Sequence, residues 1–157
     1  MDSEIKLYLD RAEDEFLLSQ KDMELSSDPK TKETFGIPAE KTFFYSVISH
    51  ADYSIFYTAK AYLLTKKIKT KVPNEHKKTY KKFRMLVKQR ILDKELLEIY
   101  ENEISKTEAL LNIFLLEKSK WGRFTYNLKS EANLPYAQES IDNARKFISV
   151  IKSILEK

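Results

Sequence analysis

Residues 43–64 read FFYSVISHADYSIFYTAKAYLL, and this stretch decides the fold. Along it, apolar or small residues recur at spacings of four and three, namely Phe44, Ile48, Ala51, Ile55, Thr58 and Tyr62. This spacing predicts a helix with one face in a protein core. His50 and Tyr57 lie beside that face. They are seven positions apart, so at 3.6 residues per turn they return to nearly the same edge of the helix.

The composition favours an all-α protein with a single domain over residues 1–157. Two Gly and four Pro are too few to supply the turns of a β-sandwich or the loops of an α/β fold. The absence of Cys excludes disulfides, thiolate metal sites and cysteine nucleophiles. No apolar run reaches the roughly 18 residues of a membrane span, and the start MDSEIKLYLD is too acidic for a signal peptide. We therefore expect a cytoplasmic protein with no membrane association.

The periodic segments predict an antiparallel up-and-down bundle of four long helices and one short basic helix. The first long helix is predicted over about residues 3–25. A loop over residues 26–38 contains the breakers Pro29, Gly36 and Pro38. The second long helix is expected to open at Pro38 and to continue to about Ile68.

Three further helices are predicted in the second half of the chain. Asn74 is a good cap for the short basic helix, which is expected to end near Gln89. Asp93 caps the third long helix, whose end is predicted somewhere within residues 121–128. Pro135 opens the fourth.

The positive charge is concentrated in one segment. Between Lys60 and Arg90 twelve Lys or Arg stand against the single acid Glu75, a formal charge of +11, whereas the remainder of the chain carries −7. An idle solvated face usually mixes both signs, so this segment favours a surface that binds a polyanion. A solvated face without function stays the alternative. The candidate nucleic-acid-binding residues are Lys67, Lys69, Lys71, His76, Lys77, Lys78, Lys81, Lys82 and Arg84.

The sequence offers no pattern for a metal or cofactor. A di-iron bundle requires Glu-x-x-His, but Val47 and Pro73 occupy the Glu positions before His50 and His76. No segment resembles a glycine-rich phosphate loop. We expect neither a metal nor a cofactor.

Residues 49–64, SHADYSIFYTAKAYLL, resemble the central helix of HEPN-domain proteins, whose usual form is close to S-R-A-x-Y-A-x-F-H-A-A-x-A-L-L. Residues 73–83, PNEHKKTYKKF, are similar to the Thr-His-Lys segment of that family. GRFTYN at 122–127 and ESIDNARKFISVIKSIL at 139–155 resemble its Arg-x-x-Tyr motif and closing helix. The resemblance spans nearly the whole chain.

The resemblance implies an up-and-down bundle that commonly pairs as a homodimer. Many HEPN proteins are metal-independent ribonucleases, often the toxin partner of a minimal nucleotidyltransferase, and others are non-catalytic binding domains. The nucleases carry Arg, four to six residues, then His on the second helix. Here His50 and Tyr57 occupy those positions with the six-residue gap kept, and no Arg of the chain has a His at that distance. The resemblance therefore implies an RNA- or nucleotide-binding protein with weak or absent nuclease activity.

Chemistry explains why this replacement matters. Cleavage through the 2′-hydroxyl requires a base with a pKa near neutral and a cation for the phosphorane, and a tyrosine hydroxyl is a poor base. A reduced catalytic site would use His50 as base with Tyr57 and Asp52 as orienting partners, although Asp52 lies about 200° around the helix from His50.

Other interpretations of these residues stay open. His50 is alternatively an interface or groove histidine, and Tyr57 a packing ring with its hydroxyl at a wet edge. Ser54 lies one turn beyond His50, so a Ser–His pair is geometrically possible, but the sequence offers it no third group and no oxyanion motif. His76 either contacts phosphate or faces solvent. The alternative function is a non-catalytic interaction module that binds an acidic protein, such as a nucleotidyltransferase antitoxin.

Overall fold

The computed structural model describes residues 1–117 and 132–157. Over residues 113–117 the description covers the helical backbone and not the side chains. Within those ranges the chain is built from helices and contains no strand, which confirms the all-α class. The helices are α1 (Ser3–Ser27), α2 (Pro29–Thr34), α3 (Phe44–Thr65), α4 (Glu75–Lys88), α5 (Lys94–Glu117) and α6 (Leu134–Leu155). None of these helices combines the length and apolar character that crossing a bilayer requires.

Helix α3 is the packing centre of the molecule. It contacts α1, α4, α5 and α6, and more than half of its residues are buried. Ile55 and Leu63 of α3 belong to one core cluster with Phe83 of α4, Leu96 of α5 and Phe147 of α6. Each of these side chains contributes about 1.5–3 kcal/mol through its removal from water. The stretch that decides the fold is therefore the one that every other long helix packs against.

Helix α3 begins at Phe44, six residues later than predicted from Pro38. The reason is a lysine of α2. Lys32 is buried, and its Nζ donates to the carbonyls of both ends of segment 39–41 at 2.6 Å each. Because these carbonyls are bonded to a side chain, the segment turns toward α2 instead of extending the helix.

The predicted loop over residues 26–38 contains the short helix α2. Asp28 is its cap, since the carboxylate accepts from the backbone N–H of Thr31 at 3.0 Å, and Pro29 occupies the first helical position. An Asp-Pro pair is a known signal for a helix start. The sequence therefore contains the start signal of this helix in the pair Asp28 and Pro29, although a proline by itself predicts a break.

The remaining helix ends agree closely with the predictions. Asn74 precedes α4 as expected, but its backbone is left-handed with φ of 58° and its side chain makes no cap bond. Asp93 accepts from the N–H of Glu95 at 2.9 Å and so caps α5. Helix α6 begins at Leu134, one residue before the predicted proline. The predicted end of α5, within 121–128, lies outside the described residues.

A buried carboxylate joins α5 to α6. Glu103 is fully buried, and its oxygens accept hydrogen bonds from Lys106 Nζ at 3.0 Å, Asn143 Nδ2 at 3.0 Å and Ser140 Oγ at 2.8 Å. Both carboxylate oxygens are thus satisfied, which is the condition under which a buried charge is tolerated.

Candidate functional site

The edge of α3 that carries His50 and Tyr57 faces α1. His50 Nδ1 donates to Glu15 Oε2 at 2.5 Å, and Arg11 Nη2 pairs with Oε1 of the same carboxylate at 2.9 Å. The Arg11 Cζ lies 5.7 Å from the centre of the Tyr57 ring. The two residues of α3 therefore share an edge, as their spacing predicts, and two residues of α1 link them.

Arg11 of α1 brings a guanidinium beside the edge of α3 that carries His50 and Tyr57. A hydrogen bond with Tyr57, followed by the charge of Glu15, raises the pKa of the exposed Arg11 side chain further. The group is permanently cationic. The spacing of Arg and His along the sequence does not reveal this contact, because Arg11 lies on α1 and His50 on α3. The pairing of charges on neighbouring helices is visible only in the fold.

A second carboxylate faces the other side of the His50 ring. Asp22 Oδ2 lies 3.8 Å from His50 Nε2 and accepts a hydrogen bond from Ser46 Oγ at 2.6 Å. The imidazole is thus held between Glu15 and Asp22, with about a third of its side chain exposed. The hydrogen bond to Glu15 fixes the orientation of the ring. Nδ1 is therefore engaged, and Asp22 lies near Nε2 without a hydrogen bond to it.

Ser54 is not a partner of His50. The Ser54 side chain is fully buried, and its hydroxyl donates to the carbonyl of Ala51 at 2.6 Å. The hydroxyl is bonded within its own helix. The structure therefore removes the Ser–His pair from the interpretations that the sequence left open.

Asp52 lies on a different side of α3 from His50. It lines a groove of about 490 Å³ between α3, α4 and α5, which we call the Asp52 groove, together with Phe56 and Tyr100. Within the described part of the chain its carboxyl has no hydrogen bond and no ion pair. Burial, with a smaller effect of Glu103, raises the pKa of Asp52 to about 7. Asp52 is consequently not placed to orient His50.

The wall of the Asp52 groove is aromatic. The His76 ring stacks on Phe56 with centroids 3.8 Å apart and an interplanar angle of 10°, and it meets Tyr53 edge-on at 5.2 Å. Desolvation against these rings, and then the charge of Lys60, lowers the pKa of His76. These effects favour the neutral imidazole. His76 thus belongs to the aromatic wall of the groove, and its surroundings disfavour a positive charge for phosphate.

The exposed side of α4 carries a row of cations, which we call the basic face. Its members Lys77, Lys81, Arg84 and Lys88 follow one another at helical spacing, with Lys78 and Lys82 beside them. All six are exposed, and in the described ranges none forms an ion pair with an acid. In the turn before α4, Lys67 and Lys71 are likewise exposed, and the carbonyl of Lys71 accepts from Lys78 at 3.1 Å.

Two cations of the basic segment are engaged elsewhere. Lys69 pairs with Glu4 of α1 at 2.9 Å, an interaction that raises the pKa of the ammonium group. Lys60 is buried, pairs with Glu75, and lies 4.5 Å from the centre of the Tyr8 ring. The free positive charge is therefore smaller than the sequence total and is concentrated on the basic face.

The described residues contain no group of three or more His, Asp or Glu side chains arranged to hold a metal ion. Comparison of the chain with protein-family models, with curated proteins and with solved structures finds no match. The chemistry of the site thus has to be argued from its own residues.

Proposed function

We propose that this protein binds single-stranded RNA through the basic face of α4 and the turn before it. One observation supports the proposal above the others. Lys77, Lys81 and Arg84 project from one side of a helix into solvent with no acid paired to them in the described ranges. Neighbouring like charges repel one another, and an RNA backbone relieves that repulsion by binding along the row.

We further propose that the protein is a HEPN-like bundle with an antiparallel, up-and-down arrangement of its long helices. The order and spacing of the family-like segments along the chain support this, as does the central position of α3. The homodimer that the resemblance implies is part of the same proposal. Multi-angle light scattering of the purified chain tests it, with twice the mass of 18.5 kDa as the expected result.

We propose that any nuclease activity is weak or absent. The His50 ring is bonded to Glu15 and faces Asp22, and the phenol of Tyr57 stands where the nucleases of the resembled family carry His. The edge thus lacks the pair of Arg and His that those nucleases carry on this helix. The protein would then hold RNA without cutting it.

Filter binding at two salt concentrations tests the RNA proposal. Each phosphate that a lysine neutralises releases a counterion, so the affinity for a single-stranded RNA should fall by about tenfold or more between 50 and 200 mM salt. An affinity that does not change with salt would contradict electrostatic binding. The alternative occupant of the basic face is an acidic protein, such as a minimal nucleotidyltransferase antitoxin.

The two occupants are distinguished by what charge reversal removes. A variant with Glu at Lys77, Lys78, Lys81 and Lys82 should lose RNA retention under the RNA proposal. Under the alternative, the wild type retains no RNA, and the same variant loses co-purification of an acidic partner. The charge of the basic face is compatible with RNA and with an acidic protein. Lys77 and Lys81 of this face also line the Asp52 groove, and that continuity favours RNA.

A further inference from the structure

We propose that the Asp52 groove receives one unpaired guanine base of a bound RNA strand, whose two Watson–Crick N–H groups donate to the Asp52 carboxylate. This inference rests on the proposed RNA binding and deepens it by naming the base and the group that contacts it. It assigns to Asp52 a role in binding, separate from the His50 edge.

The unpaired carboxyl of Asp52 is the first observation. A partly buried polar group normally has a hydrogen-bond partner, because leaving it without one costs free energy. In the described ranges Asp52 has none, although it borders a groove large enough for a ligand. Of the four RNA bases, guanine is the one that presents two adjacent donors, N1–H and the N2 amino group, to a carboxylate with two acceptor oxygens.

The aromatic lining is the second observation. Phe56, Tyr80 and Tyr100 line the groove, and the Tyr80 hydroxyl is bonded to Glu101 at 2.6 Å. Tyr100 is buried, and it packs against Phe83 with ring centroids 5.5 Å apart. These rings are fixed by their neighbours, and a planar base gains by lying against such apolar faces.

The charge at the rim is the third observation. Lys77 and Lys81 of the basic face line the groove together with Asp52, and Glu108 is the second acid among the lining residues. The ammonium groups are positioned for the phosphate attached to an inserted nucleoside. The groove volume of about 490 Å³ lies within the usual range of small-molecule sites. The lining thus offers both cations for a phosphate and an acid for the N–H donors of a base.

The test uses the full chain and fluorescein-labelled heptauridine strands whose central base is U, G, A or C. The wild type should bind the G strand about fivefold or more tighter than the other three, by the discrimination expected of a bidentate base contact. Asp52→Asn should bring the four strands within about twofold while keeping the salt dependence. Asp10→Asn, an exposed acid of α1, is the matched control and should change nothing.

Equal affinities of the wild type for all four strands, with salt-dependent binding intact, would overturn the guanine proposal and leave RNA binding standing. If no strand binds, the proposed function fails, and the groove is tested with GMP against AMP. Amide shifts in NMR spectra at Asp52 and Tyr100 on adding GMP would support the site. Their absence would overturn it.

Discussion

Glu15 of α1 and His50 of α3 are joined by a hydrogen bond of 2.5 Å between Oε2 and Nδ1. The other oxygen of this buried carboxylate pairs with Arg11, which lies against Tyr57. Glu15, directly and through Arg11, therefore connects His50 and Tyr57, which lie on one edge of α3. The connection fixes α1 on α3 and engages a nitrogen of the imidazole.

Removing the Glu15 carboxylate should destabilise the protein. In Glu15→Ala both His50 and Arg11 lose their shared acceptor, and we expect the free energy of unfolding to fall by about 1–3 kcal/mol. Urea unfolding followed by circular dichroism measures this. The control is Glu24→Ala, since Glu24 is exposed and pairs with Lys21 on the same helix, where about 0.5 kcal/mol is expected. Equal losses in the two variants would contradict a connecting role for Glu15.

Asp52→Asn should make the protein more stable at alkaline pH. The folded structure raises the pKa of Asp52 from 3.8 to about 7, so the folded state binds more protons than the unfolded state between these values. Stability therefore falls as the pH rises through this window, and the loss is complete above about pH 7. The asparagine cannot ionise. It should exceed the wild type by roughly 1–3 kcal/mol at pH 8, less than the full shift because the site is partly solvated.

The comparison of the two proteins isolates Asp52 from its neighbours. The titratable or charged groups that face it from α4 and α5 are His76, Lys77, Tyr80, Lys81, Tyr100, Glu103 and Glu108. They are present in both proteins, so their own titration largely cancels. Urea unfolding at pH 4, 6 and 8 should show the advantage of Asp52→Asn growing with pH. If Asp52→Asn exceeds the wild type by the same free energy at all three pH values, folding does not raise the pKa of Asp52.

The buried Glu103 should be among the costliest residues to remove. Glu103→Ala removes the acceptor of Ser140 and Asn143 and one of the two acids that pair with Lys106. Loss of one partner of a buried charged group costs about 3–5 kcal/mol. Glu98→Ala, at an exposed position of the same helix, is the control and should be nearly neutral. Thermal unfolding of each variant gives its midpoint temperature, which should fall far more in Glu103→Ala than in Glu98→Ala. A Glu103 variant as stable as the Glu98 variant would refute the account of the α5–α6 contact.

RNA cleavage in the presence of EDTA should stay at background. His50 Nδ1 is bonded to Glu15, and Asp22 lies on the other side of the ring. The second polar group of this edge, Tyr57, is a phenol and not an imidazole, so the edge lacks a second group suited to proton transfer. Gel analysis of a labelled single strand after prolonged incubation tests this. His50→Ala should give the same pattern as the wild type. Robust EDTA-resistant cleavage that disappears in His50→Ala would show that the edge is catalytic after all.

Periodicity predicted the helices well because each long helix buries a regular stripe. The central role of residues 43–64 followed from apolar spacing, and the class of the fold from that spacing together with the small number of Gly and Pro. The predicted start of α3 at Pro38 was wrong because Lys32 donates hydrogen bonds to the carbonyls of Ala39 and Lys41. A lysine that reaches across a turn leaves no periodic trace in the sequence.

The candidate site was predictable only in part, since it combines residues from different helices. The shared edge of His50 and Tyr57 follows from their separation along one helix. The roles of Arg11 and Glu15 do not, because the docking of α1 on α3 brings them there. Likewise, the charge count between Lys60 and Arg90 indicated a basic surface but could not show that Lys60 is buried and paired.

The salt dependence of RNA binding in two charge-reversed variants tests the central claim most directly. The first variant reverses Lys77, Lys78, Lys81 and Lys82, and the second reverses Lys6, Lys30, Lys94 and Lys157, four exposed or terminal lysines outside the basic segment. Both change the net charge equally. The account predicts that the first loses RNA affinity by at least about tenfold more than the second and that its dependence on salt nearly vanishes. Equal losses in the two variants would contradict it, because net charge and not the basic face would then hold the RNA.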